Sequence, residues 1–436
     1  MRAVGLGERI LAHVEDDDSY ATWSIDRCGA DAIRLSTSDP NEGDAHYAVA
    51  AGTAVRCDIA KQTVDWIDLD GDRPPHRIFD SAKQCLLWDV GGGLVAYDEV
   101  QSELEFHPSP SDPDVEATVL MTGVELSGSP FPGVLVSPWI ELDQFEPNRA
   151  WPRVVGERLV LNDPAGRFVE LDPVTGETRI IYDRVAEDIR VLDDGERVLW
   201  HSWCTVDEPT SACSGTQIWD TASGTSTRKA PFMLISDVAE PWISLDIAAF
   251  QHGKPAVQLR AYNLDDGEPH DFATELVAPP MREGDLVGFR PWELIGSPSP
   301  EVMLVAVPLD PFQWEEDPVM HLYWPATGAL QAVDLPYTHP LETDAGYYTL
   351  TDGLRLLPIG SEQVIVMTEE RSAQVVMADG RAAQTVDGEL RLFSPGGSAA
   401  VLDEDVSDLY QPPRLVRDLE DLFYVADGMV RRVPLP

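Results

Sequence analysis

Four aspartates gathered around one glycine are the residues here best placed for chemistry. In the segment DWIDLDGDRPPH, Asp65, Asp68, Asp70 and Asp72 surround Gly71. Ca²⁺ takes about six to eight hard oxygen ligands in a tightly turned loop, so this spacing is a candidate calcium site. The loop is too short for an EF-hand and lacks the closing glutamate. The competing reading is an Asp-rich β-turn, in which the carboxylates accept hydrogen bonds from turn amides, and that reading is favoured. A second acidic run, Glu15, Asp16, Asp17 and Asp18, forms a hairpin tip without a glycine.

Other reactive patterns are incomplete. The nearest relative of a GxSxG nucleophile elbow is GGSAA at 396–400, which ends in alanine and has no histidine after it. The nine histidines are scattered, with no HxH, HxxxH or HExxH. Sialidase-type SxDxGxTW turns are missing. LDPVTGETRII matches the centre of a quinone-docking repeat but lacks its final tryptophan. No catalytic residue is therefore assigned, and no cofactor is expected beyond the candidate Ca²⁺.

Cysteine and tryptophan leave two further candidates. Cys204 and Cys213 bracket the polar segment TVDEPTSA, so a disulfide stapling that loop stands beside two separate thiols as an open alternative. A bond there would imply an oxidising compartment. Cys28, Cys57 and Cys85 show no pairing pattern, and five cysteines leave one unpaired in any arrangement. Trp200 and Trp203 flank His201, and strand alternation sends one of them to the core and the other to a rim. Trp139, Trp151, Trp292 and Trp314 fall near Pro-containing connections. With Trp203 they make a candidate contact surface for a protein or a glycan. Packing of large rings between sheets is the competing reading.

The elements that must position these residues are β-hairpins. FVELDPVTGETRII (168–181) places turn residues between two runs of alternating apolar character. QIWDTASGTSTRKA, LRAYNLDDGEPHDF, HLYWPATGALQAVDL, VVMADGRAAQTV and LFYVADGMVRRVPL repeat the plan. TWSIDRCGADAIRL, DWIDLDGDRPPHRIF and LVAYDEVQSELEFH follow it more loosely. These units recur about every 45–60 residues, each preceded by one or two further strand-like runs. Four strands at that period define an all-β propeller of four-stranded blades. Length divided by period predicts about eight blades, with seven as the alternative, when the two crowded hairpins near 65 and 94 are merged. The whole of 1–436 is read as one propeller domain, with elaborated loops around 107–152 and 278–318 and a ring closed by N- and C-terminal strands.

The DG turn and apolar strand of LDDGERVLWHSW, followed by the QIWDTASG hairpin, resemble TolB-type, WD40-like propeller repeats. The resemblance spans most of the chain and implies architecture only. Its Trp219-Asp220 pair is isolated, and no Gly-His partner accompanies it.

Charge narrows the partners. The chain has 76 acidic and 31 basic residues and a formal net charge of −45. Such a surface repels phosphate backbones and anionic headgroups, which argues against nucleic-acid binding. No stretch has the length of a transmembrane helix, so membrane insertion is not expected. Missing catalytic motifs, acidity and elaborated loops together point to a non-catalytic, protein-binding scaffold in a bacterial extracytoplasmic or surface assembly. A hydrolase or lyase working at the central channel is the first alternative. A calcium-stabilised adhesion or glycan-binding propeller is the second. The address is periplasmic, cell-surface or secreted if a leader was removed, and otherwise cytoplasmic.

Overall fold

The computed structural model describes residues within 2–126, 152–201, 216–271, 293–307, 318–406 and 414–435, with short undescribed breaks inside these ranges. Among the described residues there are strands and turns but no helix, hence no helix long and apolar enough to cross a membrane. The described strands form nine four-stranded sheets and one three-stranded sheet. In chain order they occupy 2–38, 45–80, 87–122, 153–182, 187–230, 234–271, 293–332, 341–368, 374–403 and 414–434.

Every sheet is an antiparallel meander in which strand order follows chain order. First strands of consecutive sheets lie against each other: Leu87–Val90 meets Arg153–Val155, and Leu234–Ala239 meets Glu293–Ser299. The first strand of each sheet is therefore innermost. Arg2–Leu6 of the first sheet also meets Arg414–Leu415 of the tenth, which closes the ring. The protein is a β-propeller.

Sequence alternation explains the packing. Inward residues of one sheet meet those of the next, about 10 Å away in face-to-face sheets. Trp88 and Leu104 of the third sheet pack with Leu161 and Leu171 of the fourth. Phe168 of the fourth packs with Trp200 and Trp219 of the fifth. Similar clusters join each following pair as far as Leu392 and Leu422 of the ninth and tenth. Trp200 is buried, with the tilted rings of Phe168 and Tyr182 at 5.4 Å and 5.0 Å between centroids, whereas Trp203 lies outside the described residues.

The recurrent turns have one geometry. Gly176, Gly224 and Gly328 have φ of 72°, 61° and 69°. Each glycine amide donates to a carbonyl four residues back, on Asp172, Asp220 or Trp324. This left-handed conformation favours glycine, which is why the TG and SG pairs recur.

Among the described residues the strands make ten sheets, where eight blades were expected. The crowded hairpins belong to separate sheets, because one joins the third and fourth strands of the second sheet and the other joins the second and third strands of the third. A further sheet, 341–368, holds no copy of the hairpin pattern. The 278–318 tract contains the paired strands Glu293–Ser299 and Val302–Val307, and 107–152 contains Thr118–Thr122. The N- and C-terminal strands close the ring as neighbouring sheets, the first with four strands and the tenth with three among the described residues.

Candidate functional site

A four-stranded meander returns to the rim from which it started. Short links between sheets, such as 231–233 from Ala230 to Leu234, cannot cross the height of a sheet, so the next meander begins at the same rim. Links between sheets and links between second and third strands therefore share one rim. The four longest connections, 123–152, 202–215, 272–292 and 308–318, are all of these two kinds. Links between first and second or third and fourth strands share the other rim, where the longest is 108–117.

The candidate residues divide between these rims. Trp139, Trp151, Trp203, Trp292 and Trp314, with Cys204 and Cys213, lie outside the described residues. In sequence all seven fall between described strands, within 123–152, 202–215, 272–292 and 308–318. Cys28 and Cys85 also lie outside the described residues, and Cys57 is in the strand Thr53–Asp58.

The aspartate segment lies towards the other rim, and its carboxylates do not converge. Asp65 is a buried strand residue, in a strand whose five residues are buried on both faces. Its oxygens meet Arg56 Nη2 at 2.6 Å and Arg77 Nε at 3.5 Å. Asp68 accepts the Arg73 backbone amide at 2.8 Å. Asp70 and Asp72 are exposed, and Asp70 lies 3.6 Å from Arg9 Nε of the first sheet. The Arg73 guanidinium sits 4.4 Å from the Trp66 ring centroid, and His76 stacks on the same indole at 5.0 Å. His76 Nε2 also meets the Pro110 carbonyl at 3.0 Å, and Ser24 Oγ donates to the Leu69 carbonyl at 2.5 Å. These bonds tie the first three sheets together, and arginine supplies the positive charge that a cation would bring. Among the described residues, no group of three or more His, Cys, Asp or Glu side chains is arranged to hold a metal ion.

A similar constellation, not anticipated from sequence, lies between the fourth and fifth sheets. Glu170 is fully buried on a third strand, as Asp65 is. It meets Arg158 at 3.2 Å and Arg179 at 3.7 Å, and Trp219 Nε1 donates to it at 3.4 Å. A buried carboxylate needs such partners, since an unpaired one would cost several kcal/mol. The available signal was an acid inside the apolar strand FVEL, with arginine directly opposite it on the next strand.

Carboxylates also occur on innermost strands. Glu293 accepts a hydrogen bond from the Tyr337 hydroxyl at 2.5 Å. Tyr347 donates to Glu342 at 2.9 Å while its oxygen accepts the Ser297 amide at 2.7 Å. Gly296 leaves room for that tyrosine, whose ring a Cβ would approach to 2.2 Å.

No family model matches this chain, and no curated protein does. Among solved structures it is similar to an oligogalacturonate lyase in complex with manganese. Identity is 10%, coverage is 99% of this chain and 86% of the lyase, and the TM-score is 0.29. It is also similar to the propeller domain of the Trilobed protease from Pyrococcus furiosus, with 12% identity, coverage of 65% and 93%, and a TM-score of 0.31. The N-terminal domain of Nup159 gives 11% identity, coverage of 81% and 89%, and a TM-score of 0.28. At these values the likeness carries no argument about activity.

Proposed function

We propose that this chain is a non-catalytic scaffold that binds a protein partner across its long-loop rim, within a bacterial extracytoplasmic or surface assembly. The observation that supports this most is the gathering of the four longest connections on one rim. Binding residues concentrate on loops that a rigid framework positions. The same connections contain five of the chain's twelve tryptophans, the residue type most enriched at interface anchors. The net charge of −45 favours a partner with a basic surface and makes the association salt-sensitive.

The test replaces 308–318 with a short glycine-containing turn and repeats the exchange at 202–215. Partners of wild type and variants are then cross-linked in cells of the source organism. The expected result is an unchanged thermal transition with loss of the partner seen for wild type. Retention of that partner by both variants would overturn the proposal.

A second reading, a hydrolase or lyase working at the axis, draws on Glu293 and Glu342 of the innermost strands and their tyrosine partners. It requires Glu342→Gln to abolish turnover in a screen of glycoside and ester substrates. Absence of any turnover by wild type removes it.

A further inference from the structure

Unpaired sheet edges invite another strand, and soluble proteins guard them with bulges, prolines, charges or short length. Here the guarding is almost complete. In the first, second, third, fourth, fifth, eighth and ninth sheets, a register shift interrupts the pairing of third and fourth strands. The sixth sheet ends in the three-residue strand Pro269–Asp271, opened by proline. The tenth ends in Met429–Pro434, which carries two arginines and a proline.

The seventh sheet, whose outer strand is also short at four residues, has no bulge, proline or charge in that strand. Its outer strand Ala329–Ala332 pairs regularly from His321↔Ala332 to Trp324↔Ala329. The ladder continues through the Val333 amide, which donates to the Met320 carbonyl at 2.9 Å. All four residues, ALQA, are exposed and none is charged. Because antiparallel residues alternate, Val333 facing inward leaves Leu330 and Ala332 with N–H and C=O directed away from the sheet. Among the described residues no strand pairs with that edge.

We infer that the Ala329–Ala332 edge is a strand-addition site for an extended basic segment of a partner protein. Charge selects the occupant. Residues 291–354 contain ten acidic residues and no lysine or arginine. A second copy of the chain would bring a further net charge of −45 to the same place, so like-charge repulsion opposes pairing between copies. A strand alternating basic and apolar residues suits the net negative charge of the chain, covers Leu330, and takes two outward pairs of backbone groups. The inference rests on the protein-binding reading but concerns a different surface. Trimming the long-loop rim leaves this edge intact, so the two fail separately.

The probe is the fluorescein-labelled peptide KVKVTVKV, titrated by anisotropy into the full chain, with EVEVTVEV as its acidic counterpart. Ala332→Pro removes an outward N–H without removing a ladder bond. Leu330→Lys installs the guard used elsewhere in nature and serves if the proline disturbs folding. The expected result is binding of the basic peptide only, at least tenfold weaker for either variant. Hydrogen exchange should slow at Leu330 and Ala332. Equal binding by wild type and variants, or slowing spread over other acidic surfaces, would mean charge capture alone and overturn the inference. So would absence of binding, or edge amides already protected in the free chain by one of its own segments.

Discussion

The Arg179 guanidinium lies over the Trp219 ring, 4.7 Å from its centroid, and the same group reaches Glu170 at 3.7 Å. One arginine of the fourth sheet thus binds a carboxylate of its own sheet and an indole of the next. The position depends on Gly224, where an added Cβ would come within 0.8 Å of the guanidinium.

Gly224→Ala should therefore destabilise the fold in two ways. A left-handed alanine costs about 1–2 kcal/mol. Arg179 must also swing off the ring, losing roughly 0.5–1 kcal/mol of cation–π attraction. Urea unfolding of Gly224→Ala, Arg179→Ala and the double variant checks this. The double variant should be less destabilised than the sum of the two, and strict additivity would contradict it.

Asp163 gives a pH dependence with a definite sign. Burial pushes its carboxyl upward and is the largest single influence. The hydrogen bonds and charge of Arg167, with the Ala165 amide, together outweigh it and hold the group below the usual carboxylate range. Its stabilising contribution is thus fully present above about pH 4, the unfolded value, and is lost as pH falls through the lower folded value. Asp163→Asn should be less stable than wild type at neutral pH, and the gap should narrow below about pH 4. Urea midpoints at pH 7 and pH 3 measure it, and a gap that widens in acid would refute the assignment.

Chelation should leave the melting temperature unchanged, because Arg56 and Arg77 already occupy Asp65. Asp65→Asn should cost about 1–3 kcal/mol, the usual loss for a buried charge-assisted bond. Added Ca²⁺ should not restore it. A chelator-induced fall in melting temperature would reinstate a cation at Asp65, Asp68, Asp70 and Asp72.

Sodium chloride should raise the melting temperature between about 0.05 and about 0.5 M, since screening relieves self-repulsion at a net charge of −45. A monotonic fall would show that the arginine–carboxylate pairs, including those at Asp65 and Glu170, outweigh the repulsion.

Much of the architecture was legible in local chemistry. Turns are written over four or five residues, so Gly176, Gly224 and Gly328 announced their hairpins without help from tertiary structure. Each of the nine hairpin copies falls in a different sheet. Their number misled because the copies are not in phase, and because the eighth sheet has strands as short as Leu341–Thr343. The ties between sheets were less legible. Asp65 sits in an aspartate-rich string that suits a turn, yet it lies in the buried strand Thr63–Ile67, paired with arginines from two neighbouring strands. Which acid meets which arginine is decided by register, and register is set by long-range pairing.

Among the described residues, each apolar cluster is shared by two consecutive sheets and by no third. The clusters around Trp200 and Tyr348 have no sheet in common. The ring is in this respect a bracelet of interchangeable links. Damage at one clasp stays local, and substitutions in separate clasps should simply add. The natural unit of gain or loss in such a gene is a whole sheet, about 44 residues when 436 are divided among ten. A ring that grows or shrinks by one link keeps every remaining clasp.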